Sequence, residues 1–269
     1  MGIKLTVACD YDEMSRITVS HIIEHINDDP MGLYCFAGGD TPVATLRLLT
    51  KAALAGIVDL SHAHFIELDE WLGIDERDSG SCISYLRSHF FETAGIGENQ
   101  IHRFNPVAGN LEEECHRPMS LFRLTGVFSF ALLGVGVNGH LGFNEPGSAL
   151  EECAHVVELT EATRSVGTKY FAKADGSGRT AASQASRLAS RSFSVLKNSS
   201  CRRMVARNVM PSRMRLRVFM TPFGPLAPFG HILTPTSSLI AKLCSRSCLQ
   251  GGTYGLSDES HYADSCQNR

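Results

Sequence analysis

The chain has 269 residues, 43% of them hydrophobic, enough to build a sizeable core in one large or two small domains. A formal charge of −3 excludes a protein-wide basic field of the kind that holds polyanions. No apolar run reaches the roughly 18 residues of a membrane span. Nine cysteines without a CxxC pair, behind a start that does not read as a signal peptide, point to reduced thiols in a cytoplasmic protein.

"MGIKLT" matches the myristoylation pattern formally, but a first β-strand, "IKLTVAC", accounts for the same residues. Residues 11–27 place Ile17, His21, Ile22 and Ile26 on one helical face. "GLYCFA" reads as a second strand and runs into "GGDTP", after which Val43 to Ala55 reads as a helix with Pro42 in its first turn. Free N–H groups at a helix N-terminus attract anions, which makes Gly38, Gly39 and Thr41 a candidate phosphate cradle. The plain alternative is a strand-to-helix turn capped by Asp40, whose carboxylate would repel phosphate. No GK[ST] follows, so this is not a Walker motif.

"HFIEL" is a third strand, followed directly by Asp69 and Glu70. A carboxylate there can face a crevice as a base; the plain alternative is a helix cap or a surface acid. Trp71, the single tryptophan, reads as core. "SGSCISYLRSHFF" is a helix with Ser near its start, and "FSFALLG" a further strand. Strands separated by helices predict an α/β fold: a Rossmann-like, mostly parallel sheet with helices on both faces. Its ligands bind outside the carboxyl ends of the strands.

"GVGVNGHLGFNEPG" falls at such an end. Gly134, Gly136 and Gly139 allow close backbone approach. His140 suits proton transfer near neutral pH, and Glu145 could orient it or share its proton. A dinucleotide-binding reading fails, because the glycines come too late in the sheet and no acid ends a following strand.

Together, "GGDTP", "LDEW" and "NGHLGFNEPGSAL" resemble the glucosamine-6-phosphate deaminases (isomerases) and their galactosamine-6-phosphate relatives. That family shares its fold with 6-phosphogluconolactonase, whose branch usually lacks "FNEPG". The resemblance runs from about Ile3 to Phe171, and "LDEW" with "GSC" leans toward the galactosamine-type relatives. It implies that Asp69 moves a proton between C1 and C2 of the opened sugar. It implies His140 as the ring-opening acid/base, supported by Glu145, with Asn138 where some members carry Asp. Gly38, Gly39 and Thr41 match the phosphate loop. Lys169 stands where many members have a phosphate-binding Arg, keeping the charge without the bidentate fork. No metal-ligand spacing is visible, and a histidine with two carboxylates beside a phosphate anchor suffices without metal or organic cofactor. The implied partner is a small-molecule sugar phosphate, with no nucleic acid and no membrane; homo-oligomerisation stays open.

The last third departs from this pattern. From Gly176 to Ser257 there is no Asp or Glu, against 10 Arg and 2 Lys, a formal +12. Residues 1–175 therefore read as the α/β domain, and 176–269 as a divergent or frameshifted remainder. Codons compatible with "ASRLASRSFSVLKN", read one base earlier, spell "GITLGLEVFLSSKE", close to what the family expects there. A shifted frame over about 176 to at least 230, with a shorter patch near 116–127, is the leading reading. A divergent C-terminal domain and a basic, disordered tail compete with it. The basic segment lacks RGG repeats, alternating RS pairs and interleaved aromatics, which weighs against nucleic acid. The alternatives in function are a lactonase-like hydrolase and a catalytically impaired sugar-phosphate binder.

Overall fold

A computed structural model of the chain describes residues 3–118, 120, 128–135, 140, 142–144, 154–175, 184–187, 203–209, 216–222 and 253–255. Chain order begins β1 (Ile3–Ala8), α1 (Tyr11–Asp28), β2 (Leu33–Phe36), α2 (Val43–Leu54), β3 (His64–Glu67) and β4 (Asp69–Trp71). One continuous helical run follows: α3 (Cys82–Leu86), a π-helical segment (Arg87–Phe91) and α4 (Glu92–Ala94). Next come β5 (Ile101–His102), α5 (Leu111–His116), β6 (Phe130–Val135), β7 (His155–Glu158), α6 (Glu161–Asp175) and β8 (Gln184–Arg187). The chain closes with β9 (Arg203–Val209), β10 (Leu216–Pro222) and β11 (Thr253–Gly255).

An eight-stranded sheet runs in the order β11-β1-β10-β9-β6-β2-β3-β5. Its β9-β6-β2-β3-β5 part is parallel. On the other side, β10 is antiparallel to both β9 and β1, and β11 is antiparallel to β1. The expected mostly parallel α/β sheet is therefore present, with an antiparallel flank built partly from the acid-free segment. Not expected was a second, three-stranded antiparallel sheet, β4-β8-β7. Its strands are three or four residues long, too short for a period-two signal to stand out.

β2, β3 and β6 pack apolar side chains on both faces, as crossover helices require. All four residues of β2, Leu33–Phe36, are buried. Tyr34, Phe36, Phe65 and Phe130 pack with Ile22 and Ile26 of α1, Leu46 and Leu49 of α2, and Phe90 and Phe91. Leu33, Cys35, Ile66 and Leu68 form a separate cluster with Phe104, Cys115 and Leu133. α1 begins where Asp10 accepts from the Glu13 N–H at 2.7 Å, an N-cap reinforced by Asp12 and Glu13 in the first turn. Among the described residues, no helix is long and apolar enough to cross a membrane.

Candidate active site

β2 and β6 lie side by side, yet β2 leads to β3 on one side while β6 leads on to β9 on the other. Such a switch point opens a crevice outside the carboxyl ends of the strands. Beside these strand ends, a small cavity lies between Met14 and Thr18 of α1, Thr45 of α2, Ala37 after β2, and Leu133 and Gly134 of β6.

Gly38 follows β2, and a Cβ built on it would meet the Cα, Cβ and O of Cys82, each at 3.0 Å. The loop thus lies flat against the start of α3, which only glycine permits. Gly39 has φ +121°, a backbone region open to glycine. Tyr11 pins the next residues: its hydroxyl lies 3.1 Å from the carbonyl oxygens of Asp40 and Thr41 and accepts from the Ala44 N–H at 3.0 Å. Asp40 does not cap α2, whose N-cap is Pro42 with no side-chain hydrogen bond. Its carboxylate instead accepts from the Tyr85 hydroxyl at 2.6 Å. Burial and that carboxylate push the Tyr85 phenol above its ordinary value. Tyr11 and Tyr85 carried no motif; 29 and 45 residues separate them from Asp40, so only the fold reveals them.

Asp69 and Glu70 belong to β4 and are both buried, Asp69 6% exposed and Glu70 fully enclosed. Neither is a surface acid, and the cap of α3 is Ser81, which Glu70 backs from across the fold. Its Oε1 accepts from the N–H groups of Trp71 (2.8 Å) and Cys82 (2.9 Å). Its Oε2 accepts from the Ser81 hydroxyl (2.6 Å) and the Ile83 N–H (3.1 Å). Burial raises the Glu70 carboxyl while these donors pull it down. The same side chain fastens β4 to the start of α3, against which Gly38 rests.

Glu67, two residues before Asp69, is also buried. One oxygen accepts from the Phe104 N–H, and the other has no hydrogen-bond partner. Burial, then the Glu70 charge, pushes this carboxyl well above the ordinary 4.5. A group that binds its proton more tightly when folded lends full stability below its unfolded value. That stability is lost as pH rises through the folded value. Glu67→Gln should therefore flatten the decline in stability above about pH 4.5, leaving the Glu70 share. Urea midpoints measured across a pH series would show the flattening; an unchanged slope would refute it.

The His140 loop is seated on β4. Gly142 has φ +57°, and a Cβ there would stand 2.9 Å from Asp69 Oδ2 and 3.1 Å from Leu68 Cδ2. Phe143 meets the Trp71 ring edge-on at 4.6 Å, and Trp71 also meets Phe171 of α6 at 5.6 Å. Trp71, read as core, is buried and holds loop and helix together. Gly142→Ala combines a strained backbone with a clash at Asp69, so catalytic efficiency should fall by roughly tenfold or more. Steady-state kinetics check this, and near wild-type values would overturn it.

His140 itself is partly exposed, and its Nδ1 lies 3.4 Å from the Thr163 hydroxyl in the first turn of α6. The same helix passes the glycine loop: the Tyr170 hydroxyl is 3.5 Å from where a Gly39 Cβ would sit. Lys169, on that helix, has its backbone described and its side chain not. Asn138 and Glu145 lie outside the described residues. The structure thus brings together the loop of Gly38, Gly39 and Thr41, the acid Asp69, the loop of His140 and the helix of Lys169. Thr163 went unread, although "LTEAT" carries the Thr-rich signature of a helix start. Among the described residues, no group of three or more His, Cys, Asp or Glu side chains gathers as a metal site.

Residues 12–164 match the family model described as glucosamine-6-phosphate isomerases/6-phosphogluconolactonase. A glucosamine-6-phosphate deaminase of Halalkalibacterium halodurans is 33% identical over 168 residues, 62% of this chain and 68% of that protein. A solved monomeric glucosamine-6-phosphate deaminase superposes with TM-score 0.64 at 29% identity, over 71% of this chain and 78% of its own. The 6-phosphogluconolactonase of Thermotoga maritima superposes with TM-score 0.55 over 69% of this chain and 76% of its own; at 15% identity it speaks for the fold alone. With a family model covering more than half of it, the chain belongs to the glucosamine-6-phosphate isomerase/6-phosphogluconolactonase family.

Proposed function

We propose that the chain converts an amino-sugar 6-phosphate to a ketose 6-phosphate and ammonia: glucosamine-6-phosphate to fructose-6-phosphate, or the galactosamine counterpart. The observation that carries this reading is the seat of the His140 loop on Asp69, where Gly142 leaves no room for a side chain between them. This reading sets imidazole and carboxylate in one crevice, beside a glycine loop at a strand end. The deaminase relatives support the reaction class.

In this reading His140 opens the ring with Glu145 and Asn138 beside it. Asp69 takes the proton from C2 of the open aldehyde and returns it to C1, so that the C2–N bond becomes an imine. Water adds to that imine and ammonia leaves, giving the ketose. Gly38, Gly39, Thr41 and Lys169 hold the phosphate, which fixes C1 and C2 over Asp69. Proton transfer by a positioned side chain of this kind contributes about 10²–10⁴-fold.

The test is ammonia release by the full chain from glucosamine-6-phosphate and from galactosamine-6-phosphate, with His140→Ala as control. Release that depends on His140 is expected. Acid release from 6-phosphogluconolactone without ammonia would replace this reading with a hydrolase. Saturable binding of either amino sugar without turnover would replace it with a binding protein.

A further inference from the structure

α6 carries a glycine in its middle, where glycine costs about 1 kcal/mol against alanine. Gly167 is buried, and the strand it faces accounts for it. A Cβ on Gly167 would stand 2.4 Å from Trp71 Cη2, 3.0 Å from Cζ2 and 3.1 Å from Cζ3. The helix therefore rests directly on the far edge of the indole. Thr163, Gly167 and Phe171 recur every four positions, so they lie on one face of α6. All three are buried. Phe171 is fitted as closely as Gly167: a Cβ on Gly80 would stand 2.3 Å from its ring.

The indole has no room to yield alone. Trp71 is 5% exposed, and its main chain is fixed in β4 opposite Ala185. The Phe143 and Phe171 rings both meet it edge-on. With Leu159 and Ala185 these side chains form a core of their own, apart from the two clusters that flank the main sheet. Interiors packed this closely transmit a push from one side to the other. On the far side of the indole from α6 lies Phe143, which directly follows Gly142, the residue seated on Asp69.

We infer that the Trp71 indole is a wedge between α6 and the His140 loop, and that its seat on Gly167 sets the position of His140 relative to Asp69. This rests on the reading of His140 and Asp69 as the groups that meet substrate, and it adds what places one against the other. Trp71 and Gly167 are positioning residues here: they act through the loop and touch no sugar. The helix that bears Lys169 then also places the imidazole.

The test is Gly167→Ala in the wild-type chain and in Trp71→Phe, which lacks the far edge of the indole. In the wild-type chain the added methyl should drive the indole into Phe143. kcat should fall about tenfold or more while KM stays within about twofold, because a reacting group is misplaced and the phosphate grip is not. In the Trp71→Phe background the same change should alter kcat by less than about twofold. A higher KM with kcat unchanged means that α6 yields instead of the indole, and overturns the inference. A kcat loss of equal size in both backgrounds overturns it too. If Gly167→Ala alone fails to fold, the double variant decides: the kcat of Trp71→Phe upholds the wedge, and failure to fold overturns it. A crystal structure of Gly167→Ala reads the same question without turnover. The indole, Phe143 and His140 displaced together are expected; α6 shifted outward over an unmoved loop refutes the wedge. A wild-type chain that releases no ammonia sinks the proposed function and leaves the wedge to the crystal structure, whereas normal release with an unmoved loop does the reverse.

Discussion

Asp69→Asn should lower ammonia release from the preferred amino-sugar phosphate by roughly 10²–10⁴-fold while the protein stays folded. The amide keeps the shape of the carboxylate, so the approach of Gly142 to its Oδ2 survives. What it loses is the capacity to hold a proton between two carbons. If the glycine loop grips the phosphate as proposed, KM should move far less than kcat. Kinetics and a thermal melt of the same preparation decide it. Activity within a few-fold of wild type, with an unchanged melt, would remove Asp69 from the chemistry.

Glu70→Ala has the largest expected effect on stability, a loss on the order of 3–5 kcal/mol. Four donors converge on this carboxylate, three of them backbone N–H groups. Each buried donor left without a partner costs about 1–3 kcal/mol, and water entering the gap recovers part of that. Glu70→Gln fills the same volume but turns an NH₂ toward two of the donors, so it should cost less, about 2 kcal/mol. Denaturant unfolding of the two variants tests both the size and the order. If Glu70→Ala unfolds at the wild-type midpoint, β4 and α3 are held together by something else. Because β4 carries Asp69 and α3 backs Gly38, the same variant should also blunt catalysis in whatever fraction remains folded.

The sequence made the frame of the site legible and left its bracing hidden. Gly38, Asp69 and His140 stand at strand ends, and short apolar runs followed by glycine or acid announce such positions over a span of only a few residues. Glu70 was read with two bland alternatives because nothing near it in sequence says whether a carboxylate is enclosed. Its partners Ser81 to Ile83 lie 11 to 13 positions away. Asp40 looked like a cap because Asp before a helix usually is one. Tyr85, brought in by the packing of α3 over the glycine loop, claims it instead. The sheet of β4, β7 and β8 was missed for a different reason: three short strands, far apart in the chain, carry no local pattern and exist only by pairing. The acid-free segment from Gly176 to Ser257 supplies β9 and β10, whose residues gave no expectation of strand at all.

The π-helical segment Arg87–Phe91 has a consequence for how this protein can vary in length. In a regular α-helix, neighbouring residues point about 100° apart. Here Phe90 and Phe91 are both enclosed, and both meet the single ring of Phe65, at 5.3 and 5.8 Å. The extra residue of the wide turn lets two adjacent aromatics share one target. Losing one residue from this stretch would tighten it to ordinary pitch and swing one phenylalanine away from the sheet. A relative shortened by one position here would need a smaller side chain at one of the two places, and a bulkier one on β3 to fill the gap.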